Sequence, residues 1–511
     1  MFHSLADIVR GHGRDRPDAQ ALIVGDRTIT YGELDARSSR VAQAFAHAGV
    51  RSGDRVAFVE RNGAEFFDVT FGLAKLGAVG VPVNWRLAAP EMRHIIADSG
   101  ASVVVVGQEF VGHLEAIEDE LTAQIVVIGN HARWPAFDRW VDAHPAEDPG
   151  VVTGPDDLVL LMYTSGTTGL PKGVMLSNAN YVCKTAGVEG PWKFDADAVS
   201  LAVMPLFHMA GSGWAFAGLW QGASTVVLRD ADPAAILDAI ARHRITNMLL
   251  VPAVIQFLLD APGIATLDAS SLRVIVYGAS PISDDVLMRG MEWFGGIFAQ
   301  VYGMTETAGS ITQLDGADHV PHLLRSCGKP YPWVQIRIVT TGGQAAAPGT
   351  VGEVWTRSDQ NMLGYWNNPD ATAATLTPDG WLRTGDAGYV DAEGYLYLHD
   401  RLKDMIVSGG ENVYPVEVEN ALMTHPEVAD VAVIGVPDPR WGEAVKAVVV
   451  ATRGATPTEA GLIAFARDRL AGFKLPKTVD FVDALPRNPS GKILKRTLRE
   501  PYWEGTDRHI G

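Results

Sequence analysis

Short apolar runs recur along the first four hundred residues and alternate with stretches of helical periodicity, a pattern that leaves few folds open. RVAFVE at 55–60, SVVVVG at 102–107, QIVVIG at 124–129, LVLLMY at 158–163 and LRVIVYG at 272–278 read as strands. The segments between them carry helical patterns. One helix opens at Thr30, with Glu33 three residues on in capping-box spacing; it places Leu34, Val41, Ala42 and Phe45 on one face and ends at Gly49. Such alternation predicts a doubly wound α/β architecture. The apolar stretch 248–259, broken by Pro252 and Gln256, is too short to span a membrane and predicts a buried helix or strand.

From about 328 to 398 the pattern changes to short strands and Gly/Pro turns, which predicts a barrel-like or antiparallel sheet. Past Arg401 a small α+β unit begins. Its strand at 428–436 precedes a helix with Thr456 as N-cap, Pro457 at N1 and Glu459 at N3, and Leu462, Phe465, Ala466 and Leu470 share one face. The expected division is therefore a large domain over 1–402 and a small, mobile domain over 403–511.

Sixty acidic residues against forty-two basic ones give a net charge of −18 over 511 residues. A nucleic-acid or anionic-membrane partner is disfavoured, and an anionic substrate must be met by local cations. Cys183 and Cys327 imply neither a disulfide framework nor a metal cluster. No signal-peptide pattern is visible, so a cytoplasmic location is expected.

The segment YTSGTTGLPKGV, 163–174, has the composition of a phosphate cradle. Gly166 and Gly169 let the chain turn so that amide hydrogens converge on phosphate oxygens. Thr164, Ser165, Thr167 and Thr168 add hydroxyl donors, and Lys172 adds charge. It is not a Walker A loop, because Pro171 precedes Lys172 and an apolar piece (Val174, Met175, Leu176) follows where a helix would open. Glu306, beside Thr305 in VYGMTETAG, is placed to hold a hard cation such as Mg²⁺ through oxygen. Asp386, in WLRTGDAGYV, suits two ribose hydroxyls. Gly409 and Gly410 lie near the domain junction, and Lys492 sits on a glycine-bearing loop in PRNPSGKILKR.

These clusters, in this order and spacing, resemble the adenylate-forming superfamily that includes acyl-CoA synthetases, aryl-CoA ligases, firefly luciferase and the adenylation domains of peptide synthetases. The resemblance spans the whole chain. It implies ATP-dependent activation of a carboxylic acid through acyl-AMP, with Mg²⁺ and with CoA as co-substrate. It further implies that residues 164–172 cradle pyrophosphate, with Thr164 and Glu306 at the metal, and that Thr305 touches the α-phosphate. Lys492 would bridge carboxylate and phosphate. Gly278, Ala279 and Ser280 with Tyr302, Gly303 and Met304 would form the adenine slot, and Asp386 and Arg401 would clasp the ribose. Lys403 would be the pivot on which the small domain rotates, bringing Gly409, Gly410 and Glu411 to a pantetheine tunnel, with Trp441, Phe473, Lys474 and Lys477 on the CoA-contacting surface.

In amino-acid-activating relatives an aspartate follows the phenylalanine of the stretch matching PLFHMAGSGW, 205–214; here His208 stands there, which disfavours an α-amino acid. By the same resemblance His208, Met209, Gly211 and Trp214 border the acyl site, with room left near the two glycines Gly211 and Gly213. SGGENVYP, VPDPRWGE and FKLPK are most similar to bacterial fatty-acyl-CoA ligases, so a medium- to long-chain fatty acid is expected, with an aryl or small carboxylate as the alternative. The expected partners are the acid, ATP, CoA and a second copy of the chain. A luciferase-like oxygenase and a ligase loading a carrier protein share the ATP motifs.

Overall fold

The computed structural model describes residues 2–503 except 165–170, 281, 283, 402–403, 409–410, 439, 468 and 488–492; the side chains of 399–401, 407 and 411–412 are also outside the description. The large N-terminal part holds two mixed sheets. In the first, Arg55–Val59, Val79–Pro82, Val103–Gly107 and Gln124–Ile128 run parallel, and Leu158–Thr164 extends them before turning back antiparallel into Lys172–Ser177. In the second, Gln20–Val24, Ser224–Val227, Val199–Ala202, Asn247–Leu250, Val274–Gly278 and Phe298–Met304 are parallel, and Gly309–Leu314 returns antiparallel at one side. Val103–Gly107 and Val274–Gly278 are buried at every residue, as strands covered on both faces must be.

The capping box of Thr30 and Glu33 is formed, and the helix it starts runs Tyr31–His47. The stretch 248–259 proves to be both elements: the strand Asn247–Leu250 ends, and Pro252 opens the helix Pro252–Leu259. Proline suits that first helical position because its missing N–H has no partner there anyway.

Residues 335–401 form a four-stranded antiparallel sheet, the antiparallel form of the barrel-like unit expected. The small C-terminal domain is built on the hairpin Val428–Asp438 and Gly442–Ala451, with Thr478–Phe481 added in parallel. Its helix spans Glu459–Arg467, later than the Thr456 cap predicts. Thr458 takes over, its Oγ1 accepting from Gly461 N at 3.2 Å, while the Glu459 carboxylate accepts from Val479 N at 2.8 Å. The tertiary hydrogen bond to the neighbouring strand outcompetes the local box. Among the described residues no helix is long and apolar enough to cross a membrane.

The helix Met209–Trp220 joins the two sheets. It is apolar on all sides and buried at every position but Ala210. Phe216 meets Phe71, from the first sheet's helix Ala64–Leu76, at 5.7 Å between ring centroids, while Trp214 faces the second core. The loop leading into this helix is held by buried Asn62. Its amide donates to the carbonyl oxygens of Val203, Met204 and Leu228, and its Oδ1 accepts from Leu206 N. Asn62→Ala strands these groups, so a loss of about 2–3 kcal/mol is expected, seen as a lower urea midpoint at unchanged slope.

Candidate functional site

The nucleotide end is set by strand termini. Leu158–Thr164 and Lys172–Ser177 form a hairpin in which Thr164 pairs with Lys172, so the glycine-rich segment is the hairpin's connection. Its residues Ser165, Gly166, Thr167, Thr168 and Gly169 lie outside the described residues. Lys172 Nζ stands 5.4 Å from the centroid of the Tyr365 ring.

That tyrosine also reaches the candidate metal ligand. Glu306 lies in the 3-10 turn Thr305–Thr307, directly after the strand Phe298–Met304, and its carboxylate is buried. Tyr365 OH donates to Oε1 at 2.8 Å; Oε2 has no hydrogen-bond partner among the described residues and remains open to a cation. Gln360, fully buried, fixes the backbone of the same turn by donating from Nε2 to the carbonyl oxygens of Thr307 at 2.7 Å and Ser310 at 2.9 Å. Among the described residues no three acidic, histidine or cysteine side chains cluster as a metal cage. One open carboxylate fits Mg²⁺, which is held through one or two carboxylates together with substrate phosphates.

Gly278 ends its strand so close to the neighbouring one that an added Cβ would lie 2.2 Å from Val301 O. Ala279 follows with φ +67°, a left-handed conformation that costs a side-chain-bearing residue about 1 kcal/mol, and Ser280 comes next. Tyr302, Gly303 and Met304 close the adjacent strand, which brings the expected adenine-slot residues to two neighbouring strand ends. From the antiparallel sheet comes Asp386, buried and register-paired with Arg401, whose side chain lies outside the described residues. Tyr302 OH donates to Asp386 Oδ2 at 2.6 Å. Burial, reinforced by the Asp386 charge, pushes the phenol pKa well above its ordinary value, so Tyr302 stays a donor.

His208 is the N-cap of the helix Met209–Trp220, and its ring lies tilted against that of Phe207 at 4.4 Å between centroids. Its Nε2 is buried without a hydrogen-bond partner among the described residues. Burial, aided by the Arg86 charge, lowers its pKa from 6.5 to about 4, so it is neutral at physiological pH. Met209 Sδ accepts from Tyr181 OH at 3.3 Å. Gly211 serves close packing: an added Cβ would lie 2.2 Å from Pro205 O, so the space beside it is filled by its own incoming loop. Trp214 packs into the core between Trp192 and Phe194, at 5.1 and 4.9 Å.

In the small domain, Trp441 and Phe473 are exposed aromatics rimmed by cations. Arg440 lies 4.6 Å from the Trp441 ring and Lys477 5.9 Å; Lys474 pairs with Glu417 at 2.5 Å and stands 5.5 Å from the Phe473 ring. Lys403, Gly409, Gly410 and Lys492 lie outside the described residues, as does the side chain of Glu411. Sequence reasoning missed Tyr365, Gln360 and Asn62, whose only local signal is a polar side chain within an otherwise apolar or turn-rich stretch.

The model of the AMP-binding enzyme family matches residues 9–366, and that of the AMP-binding enzyme C-terminal domain matches 417–492. The chain belongs to the AMP-binding enzyme family. It is 41% identical over 520 residues to the fatty acid–[acyl-carrier-protein] ligase ScoC of Streptomyces coeruleorubidus, covering 100% of this chain and 98% of that protein. It is 42% identical over 490 residues to a feruloyl-CoA synthase of an Amycolatopsis species, covering 96% and 97%. Among solved structures, ATP-bound MatB from Rhodopseudomonas palustris superposes with a TM-score of 0.91 at 32% identity, covering 98% and 99% of the two chains; apo MatB, at the same identity and coverage, gives 0.80. The protein is thus an adenylate-forming enzyme of the acyl- or aryl-CoA ligase type, using ATP.

Two outcomes are expected. Tyr365→Phe removes a hydrogen bond to a charged carboxylate and should lower kcat/KM for ATP by about tenfold or more, measured as pyrophosphate release; an unchanged value would mean that Glu306 is oriented without it. The His208 pKa is depressed in the folded state, so between pH 6.5 and 4 the unfolded chain binds the extra proton and stability falls with falling pH. The urea midpoint of His208→Gln should therefore drop less between pH 7 and 5 than that of the parent protein.

Proposed function

We propose that the protein is an AMP-forming acid–CoA ligase for a medium- to long-chain fatty acid. One observation carries the exclusion of amino acids: a neutral, buried His208 stands where an ammonium would need a carboxylate. In the first step a carboxylate oxygen of the acid attacks the α-phosphorus of ATP, the bond to the bridging oxygen breaks, and pyrophosphate leaves. Negative charge grows on the α-phosphoryl oxygens, where Thr305 and Lys492 would supply a donor and a cation, and on the departing pyrophosphate, which Lys172 and the rest of the 164–172 cradle would receive. Mg²⁺ bound through Glu306 and Thr164 would neutralise phosphate charge. Asp386 and Tyr302 orient the nucleoside. In the second step the CoA thiol attacks the acyl carbonyl, a base accepts the thiol proton, and AMP departs.

The closer likeness to ATP-bound than to apo MatB supports the arrangement described here as that of the first step. The second step then calls for rotation about Lys403, which removes Lys492 and brings in the segment 409–411. The likeness to ScoC favours a second reading, in which the acceptor is a carrier protein's phosphopantetheine. Against it stands the exposed Trp441 and Phe473 surface with its rim of Arg440, Lys474 and Lys477, which suits the nucleotide end of CoA.

The test is pyrophosphate release across a panel of carboxylic acids, with CoA or with a phosphopantetheinylated carrier protein as acceptor. Octanoate and longer saturated acids should give thioester with CoA; thioester formed only on the carrier would overturn the acceptor assignment. Lys492→Ala should lose acyl-AMP synthesis by about two to three orders of magnitude, yet convert supplied acyl-AMP and CoA to acyl-CoA at close to the parent rate. Equal loss in both half-reactions would overturn the two-conformation mechanism.

A further inference from the structure

Three described lysines are buried, and two of them are paired. Lys75 Nζ donates to Asp35 Oδ1 at 2.5 Å, to Asp35 O and to Ser39 Oγ, and Lys446 Nζ donates to Asp480 Oδ1 at 2.6 Å. Lys184, on the helix Asn178–Gly187, is only 3% exposed and has neither a hydrogen bond nor an ion pair among the described residues. Its Nζ stands 5.3 Å from the centroid of the Trp192 ring. With burial unopposed by a carboxylate among the described residues, its pKa falls to about 7.

The amine lies against two glycines, one on each of the segments expected to border the acid. A Cβ added to Gly309 would lie 2.1 Å from Nζ, and one added to Gly213 would lie 3.2 Å from it. Gly309 is register-paired with Met304, next to Thr305 and Glu306, and so belongs to the turn that carries the reaction centre. Gly213 lies on the helix capped by His208, and the same added Cβ would stand 2.8 Å from Met209 Cε. Only glycine at these two positions leaves the amine its place, between the turn that carries Thr305 and Glu306 and the helix that starts after His208.

An ammonium in such a place is costly unless something supplies counter-charge, and no described side chain does. We propose that the substrate does: Lys184 pairs with a second carboxylate on the acid, so that among medium- and long-chain acids, all of which can react, those bearing a second carboxylate are preferred to those ending in plain hydrocarbon. The proposal rests on the acid-ligase reading and narrows its substrate class. A buried donor built to meet an oxygen group rejects an analogue lacking it, because binding the analogue leaves the donor unpaired in a dry pocket. The contact also answers the net negative charge of the chain, which by itself repels a doubly anionic acid.

The test compares acids of equal length, adipate with hexanoate and suberate with octanoate, in the parent protein, Lys184→Met and Lys184→Gln. Pyrophosphate release gives kcat/KM, and titration calorimetry in the presence of AMP gives affinity without turnover. The parent should favour the dicarboxylate of each pair at least tenfold in both measurements. Lys184→Met should reverse that preference, and Lys184→Gln, which keeps a donor without the charge, should fall between. A parent that favours the monocarboxylates, or a preference unaltered in Lys184→Met, overturns the proposal and leaves the lysine as a partner of the Trp192 ring. If no acid of either kind releases pyrophosphate, the ligase reading fails, and the calorimetric ratio still decides for or against the lysine.

Discussion

Everything at this site hangs on one buried helix wedged between two sheets. Met209–Trp220 is apolar on all its faces, so it has no stable place at a surface and must be enclosed. Phe216 sinks into the aromatic cluster with Phe66, Phe67, Phe71 and Tyr181, while Trp214 fills the opposite core beside Trp192 and Phe194. Enclosure fixes the helix start, and with it His208 and Met209. Asn62 completes the constraint from the first sheet, satisfying three carbonyl oxygens and one amide of the second sheet's loops. Because the interior is close-packed, this helix fixes the relative position of the two sheets and of the groups at their strand ends.

At those strand ends the polar groups are tied across long stretches of chain. Tyr365 reaches Glu306 from 59 residues away, and Tyr302 reaches Asp386 across 84. Each bond pins an acidic group from one side. Gln360 holds the backbone of the Glu306 turn from below. The result is preorganisation: donors and carboxylates already stand where charge will develop, so little reorganisation is needed when a nucleotide arrives.

Much of the scaffold was legible because it follows from local periodicity. The capping box at Thr30 and Glu33 formed where its spacing indicated, and the valine-rich runs became strands buried on both faces. The hairpin around the glycine-rich segment was foreshadowed by the apolar residues after Lys172. Local reasoning failed where a distant partner competed. Glu459 bonds to Val479 instead of capping its own helix, and Gly211 is small because its own loop presses on it. Tyr365 carried only the weak signal of a polar side chain in a turn-rich stretch and Lys184 carried none, since an isolated tyrosine or lysine reads as ordinary until its neighbours are known.

The sequence by itself determined the class of chemistry, the order of the domains and the identity of the strands, because glycine placement, hydrophobic period and motif spacing are properties of neighbours along the chain. Only the tertiary structure decided which carboxylates are held and by whom, that His208 is neutral and that Lys184 has no counter-charge among the described residues. Those are matters of desolvation and of contacts between residues far apart in the chain. A charge is worth little in water and a great deal in a dry interior, and the order of residues alone does not say which of the two surrounds it.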